Sequence, residues 1–581
     1  MEPLKSPSRH PWTTGRLSTL DDFRNVYTQA TAVIAENFCG AQIPVPTHLN
    51  TANWRYYLQD YSDFQVVDFL EYGWPLGIAE NLPTPTGVSA NYNHRSALSN
   101  GNAVDTEIAA DLSINALVGP VDILDSNLPA ICSPLQTVQR PDSSKIRLIV
   151  DLTYEKAGQH SVNNAIPPQS YLGHDTDLHY PSVDTLAQFV RQKGPGCLMF
   201  KADLKSAYKQ LSLSPHAWKF TGISWRGKRY FYVREVFGLR TSALACQRTT
   251  NCVTFLMQQH GFDICNYLDD FAGADQPDRA RLAFITLRLI FHKLNLIESV
   301  EKATPPATKL VFLGILLDSN DFTMTIPPSK MRSLLAELLR WRQRSTATKR
   351  EIQSIIGKLQ HVSSCIRGGR IFLNRMLTTL RGLTTTEPDV HVPLDADFKQ
   401  DITWYYYCMS DFAGVAIMKE LHWTRPDGCI ASDSSKTGAG GVSWMQHECF
   451  HLEFNDRYSQ LNIHVLELLA LLLCCKQWGH YFAGKRIQAL CDNQCVCIAI
   501  NTGKSKDPVL QHYLRELFFI ATLHSFEVRC VYINTRDNTL PDCLSRFSDP
   551  SSRTRALSLI DQHKLNIILV SNQLLHLSHP W

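Results

Sequence analysis

Two adjacent aspartates, Asp269 and Asp270, stand between apolar runs, GFDICN ahead of Tyr267-Leu268 and FAGA behind, and no other stretch restricts the local fold as tightly. Short apolar runs on both sides of such a pair read as a β-hairpin whose tip presents both carboxylates. Adjacent aspartates at a turn are by themselves ordinary solvated turn formers, so the reading needs a partner. Asp203 is that partner: in CLMFKADLKSAYKQLSL an apolar strand delivers an aspartate at its end, and a helix or turn follows. Carboxylates on neighbouring strands of one sheet repel unless cations neutralise them. Magnesium is hard and takes carboxylate oxygen, and two such ions about 3.5 to 4 Å apart are what nucleotidyl transfer requires.

At 581 residues the chain exceeds one hydrophobic core and should hold three to five folding units. SKIRLIVDL, CLMFKADL and GISWRGKRYFYV, with a turn at Arg226 to Lys228, read as strands, and Thr241 to His260 and Asp278 to Leu294 as helices. Together they make a mixed α/β unit ending near Ile326. The net charge is only +3, but its distribution is uneven: Met1 to Ala130 holds 6 basic and 14 acidic residues, whereas Ile326 to Gly382 holds 12 and 2. That basic stretch carries helical spacing of apolar residues opposite Lys and Arg and is a candidate phosphate-tracking surface. Arg340, Arg342 and Arg344 are assigned to the nucleic-acid backbone.

A second set of acids follows Trp423. CIASDSSKTGAGGVSW is a strand carrying Asp433 that runs through a Gly-rich turn into another strand; IHVLELLALLLCCKQW is a helix with one acid, Glu467, amid leucines. KRIQALCDN ends a strand at Asp492, and NTLPDCLSRF places Asp542 at a helix start. An acid on a greasy helix is costly to desolvate unless a charge meets it. A metal pair would supply that charge.

In order and wording, Asp203 with Tyr208 five residues on, FGLRTSALACQ, the YLDD box and LVFLG resemble the palm of a retroelement reverse transcriptase, and Asp433, Glu467, Asp492 and Asp542 are similar to the acids of RNase H. The resemblance spans about Pro129 to Ser548. It implies a right-hand polymerase (fingers, palm, helical thumb/connection) of α/β and α+β type followed by an RNase H-like α/β domain. By the same resemblance Lys145 and Arg147 on the fingers strand, with Tyr208, Phe237, Gly238, Gln247 and Lys302, bind the dNTP, and Phe312-Leu313-Gly314 is the primer grip. The implied cofactor is Mg2+, two ions per active site, replaceable by Mn2+, and the implied partners are RNA template, DNA primer, RNA-DNA hybrid and dNTPs, with other retroelement proteins. The division expected is 1–115 of unassigned role, 116–326 fingers and palm, 327–383 basic thumb/connection, 384–423 linker/connection, 424–548 RNase H-like and 549–581 a tail. GGRIFLNRML and KSKDPVLQHYLRELFFIATLHSFEVRCVYI are similar to DIRS-type retrotransposons, which use a tyrosine recombinase.

Other patterns fail. Gly503-Lys504-Ser505 lacks the earlier glycine of a phosphate-binding loop, since that position is Ile498. There is no Asp-Thr-Gly or Asp-Ser-Gly protease signature and no paired His and Cys integrase site. The histidine found near the last aspartate of some RNase H enzymes has no counterpart in VYINTRDNTLPD. The 17 cysteines form no Cys-x-x-Cys pair, which favours buried thiols over disulfides or a zinc knuckle. The longest greasy run, Val465 to Cys475, is broken by Glu467, and neither a signal core nor a membrane span is legible, so an intracellular protein of cytoplasm or nucleus is expected. Two alternatives share these motifs: a retroelement-derived binding protein without turnover, and a viral (pararetroviral) reverse transcriptase.

Overall fold

The segments LQTVQ and IRLIV, rich in β-branched residues, form an antiparallel pair, Leu135–Gln139 (β1) and Ile146–Val150 (β2), which sets Arg147 opposite Val138. The computed structural model containing them describes residues 19–32, 44–78, 88–90, 92–122, 128–139, 146–155, 161–176, 178, 180–363, 365–366, 368–383, 390–411, 415–417 and 425–581. The chain is a mixed α/β protein of two units, Met1–Phe189 with Gly196–Thr308, and Val190–Pro195 with Lys309–Trp581.

In the first unit, Leu198–Asp203 (β3) precedes the hairpin Gly222–Trp225 (β4) and Lys228–Tyr232 (β5), the helix Ser242–Gln259 (α1), the hairpin Ile264–Tyr267 (β6) and Asp270–Asp275 (β7), the helix Pro277–Leu294 (α2) and Thr304–Ala307 (β8). Four strands make an antiparallel sheet in the order β6-β7-β3-β8. Its apolar residues Phe200, Ala202 and Phe271 pack with Leu244, Val253 and Met257 of α1 and Ala283, Leu287 and Phe291 of α2 in one core. Each large apolar side chain so buried contributes about 1.5 to 3 kcal/mol. Trp54, Phe69 and Trp74 join that core. The described part of the acidic N-terminal region therefore completes the first unit, a role that its sequence did not announce.

The second unit opens with a meander, Lys309–Phe312 (β9), Ile315–Asp318 (β10) and Thr323–Thr325 (β11), continued by Val415–Ile417. That pairing draws residues 309–325 into the second unit, so the first ends at Thr308 instead of near Ile326. Helices follow at Pro328–Gln343 (α3), Lys349–Val362 (α4), Gly369–Gly382 (α5) and Ala396–Asp411 (α6). Thr348 and Glu351 form a reciprocal capping box that starts α4.

The C-terminal part of this unit holds Gly428–Ser434 (β12), Gly438–Ser443 (β13), Glu448–Glu453 (β14), Ile463–Trp478 (α7), Arg486–Cys491 (β15), Gln494–Thr502 (α8), Pro508–Leu523 (α9), Glu527–Tyr532 (β16) and Thr539–Ser545 (α10). Six strands form a mixed sheet in which β16, β15, β12, β13 and β14 are neighbours in that order. The sixth strand is Asn566–Ile567, paired with Glu448 and Cys449. Residues 549–581, set apart as a tail by sequence, thus carry an edge strand and the helix Pro550–His563. Helix α7 is apolar on every side and is covered throughout Val465 to Cys475. Among the described residues no helix is long and apolar enough to cross a membrane.

Candidate active sites

The strand pairing β7 to β3 sets Asp270 directly opposite Asp203. The β6–β7 loop has only two residues, Leu268 and Asp269, because Tyr267 pairs with Asp270. Leu268 takes φ +54°, a left-handed conformation that a branched side chain adopts at a cost of about 1 to 3 kcal/mol. Gln247 of α1, fully buried, offsets this by accepting a hydrogen bond from the Leu268 N–H at 2.8 Å. The carbonyl of Asp269 accepts from Leu204 N–H at 3.0 Å. Three carboxylates are thereby fixed at one end of the sheet.

Burial pushes Asp269 up from its ordinary range, with Asp203 adding to the shift. Asp270 rises to about 6, first through burial and then through Asp203 and Asp269, against the lowering charge of Lys201. Lys201 Nζ lies 3.6 Å from Asp270 Oδ1, an ion pair too long to be a hydrogen bond. Two cations complete the site. Lys302 Nζ donates to Asp203 Oδ1 at 2.7 Å, and Arg147 lowers Asp269 electrostatically. Sequence reasoning missed Lys201, although it lies two residues before Asp203 on the same face of β3.

Tyr208 is half-buried, and its ring lies 4.9 Å from that of Phe237, which is 48% exposed. Burial raises the Tyr208 hydroxyl, and Asp269 is among the charges that add to the rise. Gly238 has φ +111°, and a Cβ there would meet the Val150 carbonyl at 2.2 Å, so only glycine lets this turn approach β2. Gln247 faces the hairpin backbone and not an open pocket. Lys145 lies outside the described residues. In the second unit Phe312 is buried, and Leu313 and Gly314 form a two-residue turn with φ +46° and +79°, where His361 Nε2 meets the Leu313 carbonyl at 2.8 Å.

The second set of acids also converges. Asp433 lies on β12, opposite Gly440 of β13. A Cβ at Gly440 would collide with the Pro541 carbonyl and the Leu544 side chain at 2.5 Å, so glycine is what lets α10 lie flat on the sheet and bring Asp542 in. Asn538 Nδ2 donates to the Ser432 carbonyl at 2.9 Å and anchors the same helix. Oxygen atoms of Glu467 and Asp492 and the Cys491 Sγ lie within 4.8 Å of one another. Burial raises Asp433 and Glu467, and the neighbouring acids raise both further. Asp542 is held by Arg546 at 3.1 Å. His464, one turn before Glu467, contacts Asn493 at 2.9 Å, a histidine near the acids that spacing from Asp542 did not reveal.

Asp270 Oδ1, Asp433 Oδ2 and Glu467 Oε2 are buried and accept no hydrogen bond. Orphaned carboxylate oxygens in clusters of acids are a donor set that suits a hard divalent cation. The three arginines of the basic helix differ. Arg340 is exposed, Arg342 lies over the rings of Tyr406 and Tyr407 at 4.7 and 5.0 Å, and Arg344 pairs with Glu351 at 2.7 Å.

No protein-family model and no curated protein matches the chain. Among solved structures, a foamy viral protease-reverse transcriptase in complex with dsDNA is similar at TM-score 0.46 and 13% identity, over 90% of this chain and 98% of that one. The same kind of protein in complex with an RNA/DNA hybrid gives TM-score 0.44 and 13% identity, over 91% of this chain and 64% of that one.

Proposed function

We propose that the chain is a reverse transcriptase of a DIRS-like retrotransposon, which synthesises DNA on RNA and DNA templates and cleaves the RNA of RNA-DNA hybrids through an RNase H domain. One observation carries this reading: two clusters of wholly or partly buried acids, in separate units, each with at least one buried carboxylate oxygen left without a hydrogen bond. Asp203, Asp269 and Asp270 would hold one pair of Mg2+ ions and Asp433, Glu467, Asp492 and Asp542 another. Bound there, the metals would activate the primer hydroxyl or a water and stabilise the leaving oxygen.

The protein's own groups have distinct tasks. Lys302, paired with Asp203 and exposed to solvent, is free to turn toward an arriving triphosphate. Arg147 presents a second cation to that phosphate chain. Tyr208, braced by Phe237, forms a wall against the sugar. The partners are template, primer, hybrid and dNTPs, and the setting is intracellular.

Primer extension on poly-rA with oligo-dT and Mg2+, alongside cleavage of a labelled hybrid, tests the reading. Extension and cleavage are both expected. A folded chain that binds the hybrid tightly yet does neither would be a binding protein, and the proposal would fail.

A further inference from the structure

Folding gathers three thiols that the sequence keeps apart. Cys491 ends β15, Cys497 lies on α8, and Cys530 lies on β16, the strand beside β15. Their Sγ atoms all lie within 4.8 Å of one another, and those of Cys497 and Cys530 are 3.2 Å apart. All three are buried, at 0%, 6% and 4% exposure. The arrangement is held by backbone. β16 is an edge strand, and at Cys530 its open side is closed by Asn501 of α8, which donates to the Cys530 carbonyl at 2.7 Å and accepts from the Cys530 N–H at 2.9 Å. Asn501 and Cys497 are four residues apart on one helix face. The two hydrogen bonds that pin Asn501 to Cys530 therefore also aim Cys497 at it.

Burial alone would ask only for small apolar volume, which valine or alanine supplies. Convergence of three sulfurs on one point is instead the donor set of a soft metal ion. Zinc takes thiolate at about 2.3 Å in tetrahedral geometry, which asks for sulfur separations of roughly 3.8 Å. That lies between the 3.2 Å contact and the 4.8 Å envelope, so small side-chain shifts suffice. We propose that Cys491, Cys497 and Cys530 form a thiolate site for a zinc-class d10 metal ion, which ties β15, α8 and β16 together. On binding, each S–H bond is replaced by a sulfur–metal bond, and three protons go to solvent without any change of oxidation state. The inference does not depend on the activity proposed above.

The full chain, reduced and stripped with chelator, is titrated with Cd2+ alone while thiolate-to-metal absorption in the ultraviolet is followed. One equivalent should saturate the band. It should persist in Cys495→Ser, whose thiol is exposed, and in Asp433→Asn, and vanish in the Cys497→Ser/Cys530→Ser double variant. A band that survives the double variant, or no band, overturns the site. So does isolation of the chain with Cys497 and Cys530 already joined as a disulfide. Should the serine variants not fold, alkylation of the unmutated chain with and without Zn2+ decides: protection of these three cysteines by Zn2+ supports the site, and equal labelling overturns it.

Discussion

Removing the charge of Asp270 should stabilise the metal-free protein. Its side chain is 19% exposed, its Oδ1 accepts no hydrogen bond, and its carboxyl is pushed up from 3.8 to about 6. A carboxyl held higher in the folded than in the unfolded chain binds its proton more tightly when folded. Stability is therefore greatest at low pH and falls as pH rises from 3.8 through about 6. The gap corresponds to about 3 kcal/mol at pH 8 and roughly half of that at pH 5. Asp270→Asn also strips Lys201 of its ion-pair partner, which lowers the net gain to about 1 to 2 kcal/mol at pH 8. Thermal unfolding of the full chain in EDTA should then show the first unit's transition raised by roughly 2 to 8 °C at pH 8 and by about half as much at pH 5. Saturating Mg2+ should raise the first unit's transition in the unmutated chain by about as much and leave that transition of the variant unmoved. If the variant melts at or below the unmutated chain at pH 8, or keeps one offset at both pH values, the buried-charge argument is wrong.

Four other outcomes are expected. Asp269→Asn should abolish primer extension and spare hybrid cleavage, while Glu467→Gln should do the reverse; loss of both activities in either folded variant would refute separate sites. Changing Arg340, Arg342 and Arg344 together to Gln should flatten the log K against log salt slope by about 0.7 to 0.9, the value of one phosphate contact, because Arg342 and Arg344 are already engaged within the protein; an unchanged slope would mean that the face is merely solvated. Tyr208→Val should retain dTTP incorporation and gain UTP incorporation by tenfold or more, as expected for relief of about 1 to 3 kcal/mol of overlap; an unchanged dTTP to UTP ratio in kcat/KM would make Tyr208 a core aromatic. Gln247→Leu should cost about 1 to 3 kcal/mol by leaving the Leu268 N–H unpaired, and it should depress the kcat of extension more than that of hybrid cleavage. Equal losses would show that the hairpin does not depend on this bond.

The sequence by itself determined the local elements and the identity of the acids. Short apolar runs before Asp203 and on both sides of the Asp269-Asp270 pair read as strands and a tight hairpin, since such runs are a property of neighbouring residues. Glu467 was legible for a similar reason: a lone charge in a run of leucines is costly wherever that helix is buried. The basic stretch was legible as charge but not as surface, because whether Arg344 meets phosphate or Glu351 depends on where the next helix begins. Gln247 could not be told from a pocket residue until α1 packed against the hairpin it caps. The tertiary structure alone brought Trp54 and Trp74 into the core of the first unit, folded residues 309–325 into the second, and turned an expected tail into an edge strand. It alone gathered Cys491, Cys497 and Cys530 as well. Such pairings join residues far apart in the chain, and the free energy that selects them comes from burial and backbone hydrogen bonds between elements, which no local pattern encodes.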